Sequence, residues 1–134
     1  TLVVYIPIRV VSEANQREHW ATKARRAKSQ RWATSLCLRG HEPPPLPVVV
    51  TMERIGARRL DTDNLAGAFK AVRDQIACWL RLPANKKGQA DDSDPRVTWR
   101  TEQTIVKGGQ AAVRVEVRPR VESGERRQAC EEVA

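Results

Sequence analysis

The sequence predicts an α+β fold: a single domain in the order β-α-β-α-β-β, with two helices packed on one small mixed or antiparallel sheet. Three observations lead there. The apolar, β-branched runs "TLVVYIPIRV" and "VVVTMERIG" read as strands. Two helical patterns follow these runs, and proline closes each of them. A length of 134 residues suffices for one buried core but not for two ordinary ones.

The elements follow in order. Residues 2–9 predict the first strand. Ser12 then offers an N-cap, and residues 15–38, "NQREHWATKARRAKSQRWATSLCL", predict a long helix without glycine or proline. Trp20, Ala24, Ala27, Trp32 and Leu36 supply it with an irregular apolar stripe. Pro43, Pro44, Pro45 and Pro47 end it. Residues 48–56 are the second strand, and Gly56 opens a short basic loop leading to Asp61. From Asp63 a second helix begins, with Leu65, Phe69, Val72 and Ile76 on one face at spacings of four and three. Trp79 and Leu80 extend the stripe, and Pro83 stops it. "ANKKGQADDSD" is a polar, turn-rich loop. "RVTWRTEQTIV" and "AAVRVEVRP", joined by "KGGQ", predict two strands of a terminal hairpin. Residues 1–120 form the folded domain, and 121–134 read as a polar, flexible tail.

With 40% hydrophobic residues the chain is not wholly disordered, and no apolar run approaches a membrane span. The N-terminus lacks the layout of a signal peptide. Cys37, Cys78 and Cys130 are widely separated and odd in number, which argues against a disulfide framework and for a reducing cytoplasm. A formal charge of +8 and a pI near 10.1 favour a polyanionic partner, most often nucleic acid. The alternative is a basic surface that binds nothing.

Against this positive surplus, "RRLDTDNLAGAFK" sets Asp61 and Asp63 one residue apart at the start of a helix. Close carboxylates repel, and a cation between them relieves the repulsion. Read alone, Asp63 is an N-cap and Asp61 a turn residue. A second cluster, Asp91, Asp92 and Asp94, lies in the loop after the same helix. If the following strand pairs beside the one ending at 56, that loop can return towards Asp61 and Asp63. Carboxylates gathered from two loops make the hard oxygen site that Mg²⁺ prefers, a setting suited to phosphodiester hydrolysis. Only His19 and His41 are present, so no Cys/His set offers zinc as a rival.

The stretch "RRLDTDNLAGAFKAVRDQIACWL", followed by "DDSDPRVTWR", resembles the RusA-type Holliday junction resolvases, including bacteriophage members. Their signature is D-x-D-N-L opening a helix, then a D-D pair about one helix and loop later. The N-terminal "VVSEANQREHWATKARRAKSQR" is also similar to phage members, and the resemblance covers about residues 2–118. It implies a homodimeric, Mg²⁺-dependent endonuclease, with Mn²⁺ as substitute, that cuts four-way DNA junctions by paired incisions. The setting would be a bacterial or phage-infected cytoplasm. Carried over by position, Asp61, Asp63 and Asp92 match the metal-binding catalytic aspartates, and Asp91 and Asp94 stand as substitutes or helpers. The family's functional lysine falls four residues after the second aspartate, where this chain has Gly67. Lys70 lies within about 20° of Asp63 around an ideal helix and roughly 10 Å further along. It either replaces that lysine, reaching back past Gly67, or is a solvated helix residue.

Arg17, Lys23, Arg25, Arg26, Lys28 and Arg31 crowd the first helix, as a phosphate track or a solubilising face. Arg58 and Arg59, just ahead of Asp61, are better placed to touch the scissile strand. His19 reads as packing or surface rather than a general base, and Asn15 as a turn or capping residue. Trp20, Trp32, Trp79 and Trp99 could stack on bases. With aromatics at 4%, most of them are expected in the core or in dimer contacts.

Overall fold

The computed structural model describes residues 1–12, 19–86, 88 and 90–121. Its elements are β1 (Leu2–Ile6), α1 (Trp20–Leu38), β2 (Val48–Gly56), α2 (Thr62–Ala68), α3 (Lys70–Trp79), β3 (Val97–Ile105) and β4 (Ala112–Pro119). The α+β class is as the sequence predicts. β1 is shorter than expected and stops before Pro7, whose ring cannot supply a ladder N–H. No helix among the described residues is long and apolar enough to cross a membrane. The expected tail lies, from residue 122 on, outside the described residues.

The sheet runs β1-β4-β2-β3. β4 is antiparallel to both of its neighbours, and β3 is parallel to β2. This corrects the terminal hairpin. β3 and β4 flank β2 on opposite sides, and residues 106–111 pass over its end, where the Val106 N–H donates to the Gly56 carbonyl at 2.9 Å. The reason is burial. "VVVTMERIG" is the most apolar strand, with Val48, Val49, Val50 and Met52 fully enclosed. A central place satisfies its backbone on both edges, whereas a β3–β4 hairpin would leave one edge unpaired.

The helices cover one face of the sheet. Val4 and Ile6 of β1, Val48, Val50 and Met52 of β2, and Val113, Val115 and Val117 of β4 form its apolar layer. Against them pack Leu65, Phe69, Val72 and Ile76, the four residues of the sequence stripe. Each such buried side chain contributes about 1.5–3 kcal/mol relative to exposure. The stripe is correct, but the continuous helix is not. Phe69 adopts φ −90°, ψ 3° and divides α2 from α3, its N–H donating to the Ala66 and Gly67 carbonyls. Gly67 weakens the helix just ahead of the break, while Phe69 itself is fully buried.

α1 departs further from expectation. His19, not Ser12, caps it, with Nδ1 accepting the Ala21 N–H at 3.1 Å. Residues 15–18 of the expected helix lie outside the described residues. Its buried positions are Gln30, Thr34 and Leu38, and the Thr34 hydroxyl donates to the Gln30 carbonyl at 2.8 Å. Trp20, Trp32 and Leu36, expected in the stripe, are 74%, 61% and 44% exposed. The helix packs against α3 and β1 with Gln30, Thr34 and Leu38 as its buried positions instead. Trp79 and Trp99 do join the core margin, and their indole N–H groups donate to the carbonyls of His41 and Asp92.

Candidate functional site

The chain leaves β2 at Gly56 and turns back along the edge of β3. Gln103 holds it there with two bonds. Its Oε1 accepts the Leu60 N–H at 3.0 Å, and its Nε2 donates to the Leu60 carbonyl at 2.7 Å. The side chain thus imitates a neighbouring strand for one residue. Asp61 comes next and is the N-cap residue of α2, with φ −62° and ψ 151°, while its carbonyl accepts the Leu65 N–H at 2.8 Å. Asp63, expected as the cap, instead lies in the first turn.

Among the described residues, neither carboxylate has a hydrogen-bond or ion-pair partner. The Asp61 side chain makes no capping bond, and both residues are exposed. Their negative charge is placed where the free N–H groups and dipole of a helix start favour it.

The second acidic cluster divides by role. Asp91 Oδ1 accepts from the Ser93 N–H at 3.0 Å and the Ser93 hydroxyl at 2.6 Å, and these bonds hold its carboxyl below the usual range. Asp94 accepts from Arg96 through its backbone N–H at 2.9 Å, Nε at 3.0 Å and Nη2 at 2.8 Å. Those bonds lower its pKa to about 2. Both residues therefore shape the turn into β3. Asp92 faces α3, with Oδ2 lying 3.0 Å from Arg73 Nε in an ion pair without hydrogen-bond alignment. The Arg73 guanidinium in turn lies 4.9 Å from the centre of the Trp99 ring.

The parallel pairing of β2 with β3 sets Val48 beside Val97 and Gly56 beside Ile105. The loop carrying Asp92 therefore enters β3 at the opposite end of this strand pair from the exit of β2. Asp92 itself meets α3 at Arg73, in the first turn of that helix, and its carbonyl accepts the Trp99 indole N–H. Among the described residues, no group of three or more His, Cys, Asp and Glu is arranged to hold a metal ion.

Lys70 opens α3 and pairs with Asp74 at 3.1 Å, its side chain 70% exposed. The break at Phe69 removes the ideal-helix relation to Asp63, so the expected alignment is corrected. Gly67 stands in open space, with nothing within 4 Å of where a Cβ would be. It lines a groove of about 320 Å³ between α1 and α2–α3, together with Lys23, Gln30, Arg31, Lys70 and Asp74.

Of the remaining basic residues, Arg25 and Lys28 are exposed on α1, Arg26 is half-buried, and Arg17 lies outside the described residues. Arg59 lines a cavity of about 370 Å³ with Thr62 and Gln103. Arg58 lines a different one, with Arg9 and Arg54. Sequence reasoning missed Gln103, Arg73 and Arg54. A lone Gln in a strand carries no signal, and Arg73 looks like any charged helix residue. Arg54 does leave a trace, because it interrupts the apolar alternation of β2 on its buried side.

Compared with protein-family models, with curated proteins and with solved structures, the chain gives no match.

Proposed function

We propose that the chain is a Mg²⁺-dependent, structure-specific endodeoxyribonuclease of the RusA type, resolving four-way junctions by paired phosphodiester hydrolysis. The observation that carries this reading is the pair of exposed carboxylates on Asp61 and Asp63, one helical turn from a basic groove. Carboxylate oxygens without donors among the described residues, at a clamped helix start, fit a hard divalent cation. Asp92 is not gathered with Asp61 and Asp63 in the free protein. As the third ligand that the resemblance implies, it would have to leave Arg73 and approach them, whereas the oxygens of Asp91 and Asp94 already hold the β3 turn. Mg²⁺, or Mn²⁺ in its place, would supply Lewis-acid polarisation of the phosphate and a lowered pKa of water.

The chain's own residues supply the rest. Lys23, Arg31 and Lys70 line the groove and would hold the phosphates of a DNA arm. Arg58 and Arg59 flank the segment leading to Asp61 and would contact the strand to be cut. Arg73 neutralises Asp92 in the free protein and would exchange that partner on cation binding. Paired incision needs two such sites, which a two-fold homodimer provides. Trp32 and Leu36, one turn apart and exposed, offer apolar surface to a second copy.

A second reading, a binder of branched DNA with little or no catalysis, is favoured by Gly67 at the lysine position and by Lys70 being held on Asp74. One gel experiment separates the two. Four-way, forked and linear duplexes are incubated with the wild type and Asp63→Asn, with and without Mg²⁺. Mg²⁺-dependent cutting of the four-way substrate that Asp63→Asn abolishes supports the resolvase. Binding without incision supports the second reading, and equal cutting of linear duplex overturns junction specificity.

A further inference from the structure

Arg54 sits on the buried side of β2, in line with Val50 and Met52, where the alternation calls for an apolar residue. It is 5% exposed. Such burial is costly for a charge unless a counter-charge accompanies it. Among the described residues no carboxylate does. Arg54 Nε donates to the Val10 carbonyl at 3.3 Å and Nη1 to the Arg58 carbonyl, and Nη2 has no acceptor among the described residues. Burial, and then the nearby charge of Arg9, weakens the hold of the guanidinium on its proton.

The surroundings are built around this guanidinium. It lines a cavity of about 230 Å³ together with Arg9, Arg58, Ala57 and Gly109, and no acidic side chain among the described residues lines it. Gly56 leaves it room, since an added Cβ would stand 3.1 to 3.2 Å from the guanidinium atoms. The cavity thus collects two arginines, Arg9 and Arg58, around a partly desolvated third, Arg54, whose Nη2 has no acceptor among the described residues. Among the described residues, carbonyl dipoles alone meet the summed charge and leave it uncompensated. A tetrahedral oxyanion matches the forked donors of several guanidinium groups better than a single carboxylate does.

We propose that this pocket binds a phosphate group. Resting on the nuclease reading, that phosphate belongs to the DNA strand beside the acidic site, because Arg58 lies three residues before Asp61. The pocket is then a second anchor, separate from the α1 groove, that fixes the strand close to the carboxylates.

Calorimetric titration of the full chain with inorganic phosphate, against chloride at equal ionic strength, tests the pocket without metal or DNA. It therefore fails independently of the nuclease reading. The wild type binds phosphate, and the surface substitutions Arg9→Ala and Arg58→Ala each weaken it about tenfold, the loss of one charge-assisted contact. Equal phosphate binding by the wild type and the double variant overturns the pocket. Four-way junction binding across a salt series tests the DNA source. Each single substitution lowers the slope of log K against log salt by about 1, and the double variant also by about 1, since both contact one phosphate. A loss of about 2 in the double variant overturns the shared pocket. Phosphate binding that the substitutions abolish, with an unchanged DNA slope, overturns the DNA source and leaves a site for free phosphate.

Discussion

Gln103→Leu removes the clamp that sets the start of α2 and keeps a side chain of similar length. Two hydrogen bonds disappear, at 3.0 and 2.7 Å, and the N–H and carbonyl of Leu60 lose their partner. A typical intramolecular hydrogen bond contributes about 1 kcal/mol net, and an unsatisfied buried group costs more. Leu60 is only half-buried, so water satisfies part of what is lost. The expected destabilisation is about 2 kcal/mol. For a domain of this size that corresponds to a melting temperature lower by about 7 °C. Thermal unfolding followed by circular dichroism at pH 7 measures it directly. Junction cleavage should fall with it, because Asp61 is the next residue in the chain. Gln103→Glu separates the clamp from packing: its carboxylate still accepts the Leu60 N–H but opposes the Leu60 carbonyl. That variant should be destabilised at neutral pH and recover as acid protonates the new side chain. If Gln103→Leu melts within about 1 °C of the wild type, the clamp contributes nothing and the reasoning fails.

Acid tests the β3 turn. The Asp94 carboxyl has a folded pKa of about 2, below its unfolded value of 3.8, so its contribution is full above about pH 4 and is lost as pH falls towards 2. Urea unfolding should show the wild type losing about 1 kcal/mol more than Asp94→Asn over that window, a figure discounted for the half-exposed Arg96. Equal losses would refute it. Gly67→Ala should raise stability by about 0.5–1 kcal/mol, since a helical position with open space gains rigidity at no steric cost. Gly67→Lys should add Mg²⁺-dependent cleavage if the missing lysine limits catalysis, and unchanged rates would reject that cause. Arg81 ends α3 at φ 60°, where the Leu82 N–H donates to the Ala77 carbonyl at 3.2 Å. Arg81→Gly should therefore stabilise by about 1 kcal/mol in chemical denaturation, and a loss would show that the arginine side chain matters more than its backbone strain.

Much of the core was legible beforehand. Spacing alone places Leu65, Phe69, Val72 and Ile76 on one face, and all four are buried. Period identifies a face even when the helix breaks in its middle, because both halves must still turn the same side chains inward. The first helix was less legible, since its tryptophans point outward and its buried positions are Gln30, Thr34 and Leu38. Two of the three are polar, and polar residues give little hydrophobic signal. In the candidate site, Asp61 and Asp63 stood out as like charges on a basic chain. Gln103 did not, because its role depends on a partner 43 positions away.

The sequence by itself determined the order of strands and helical stretches, though not the break at Phe69, and also where the acidic clusters fall and how basic the chain is. Those properties follow from local conformational preference, spacing and charge. Tertiary structure decided that β3 and β4 flank β2, that Asp92 meets Arg73 while Asp91 and Asp94 hold a turn, and that Arg54 enters a cavity with Arg9 and Arg58. These relations join residues distant along the chain. They are set by which strand must be central to satisfy its backbone and bury its side chains, a choice that no local pattern contains.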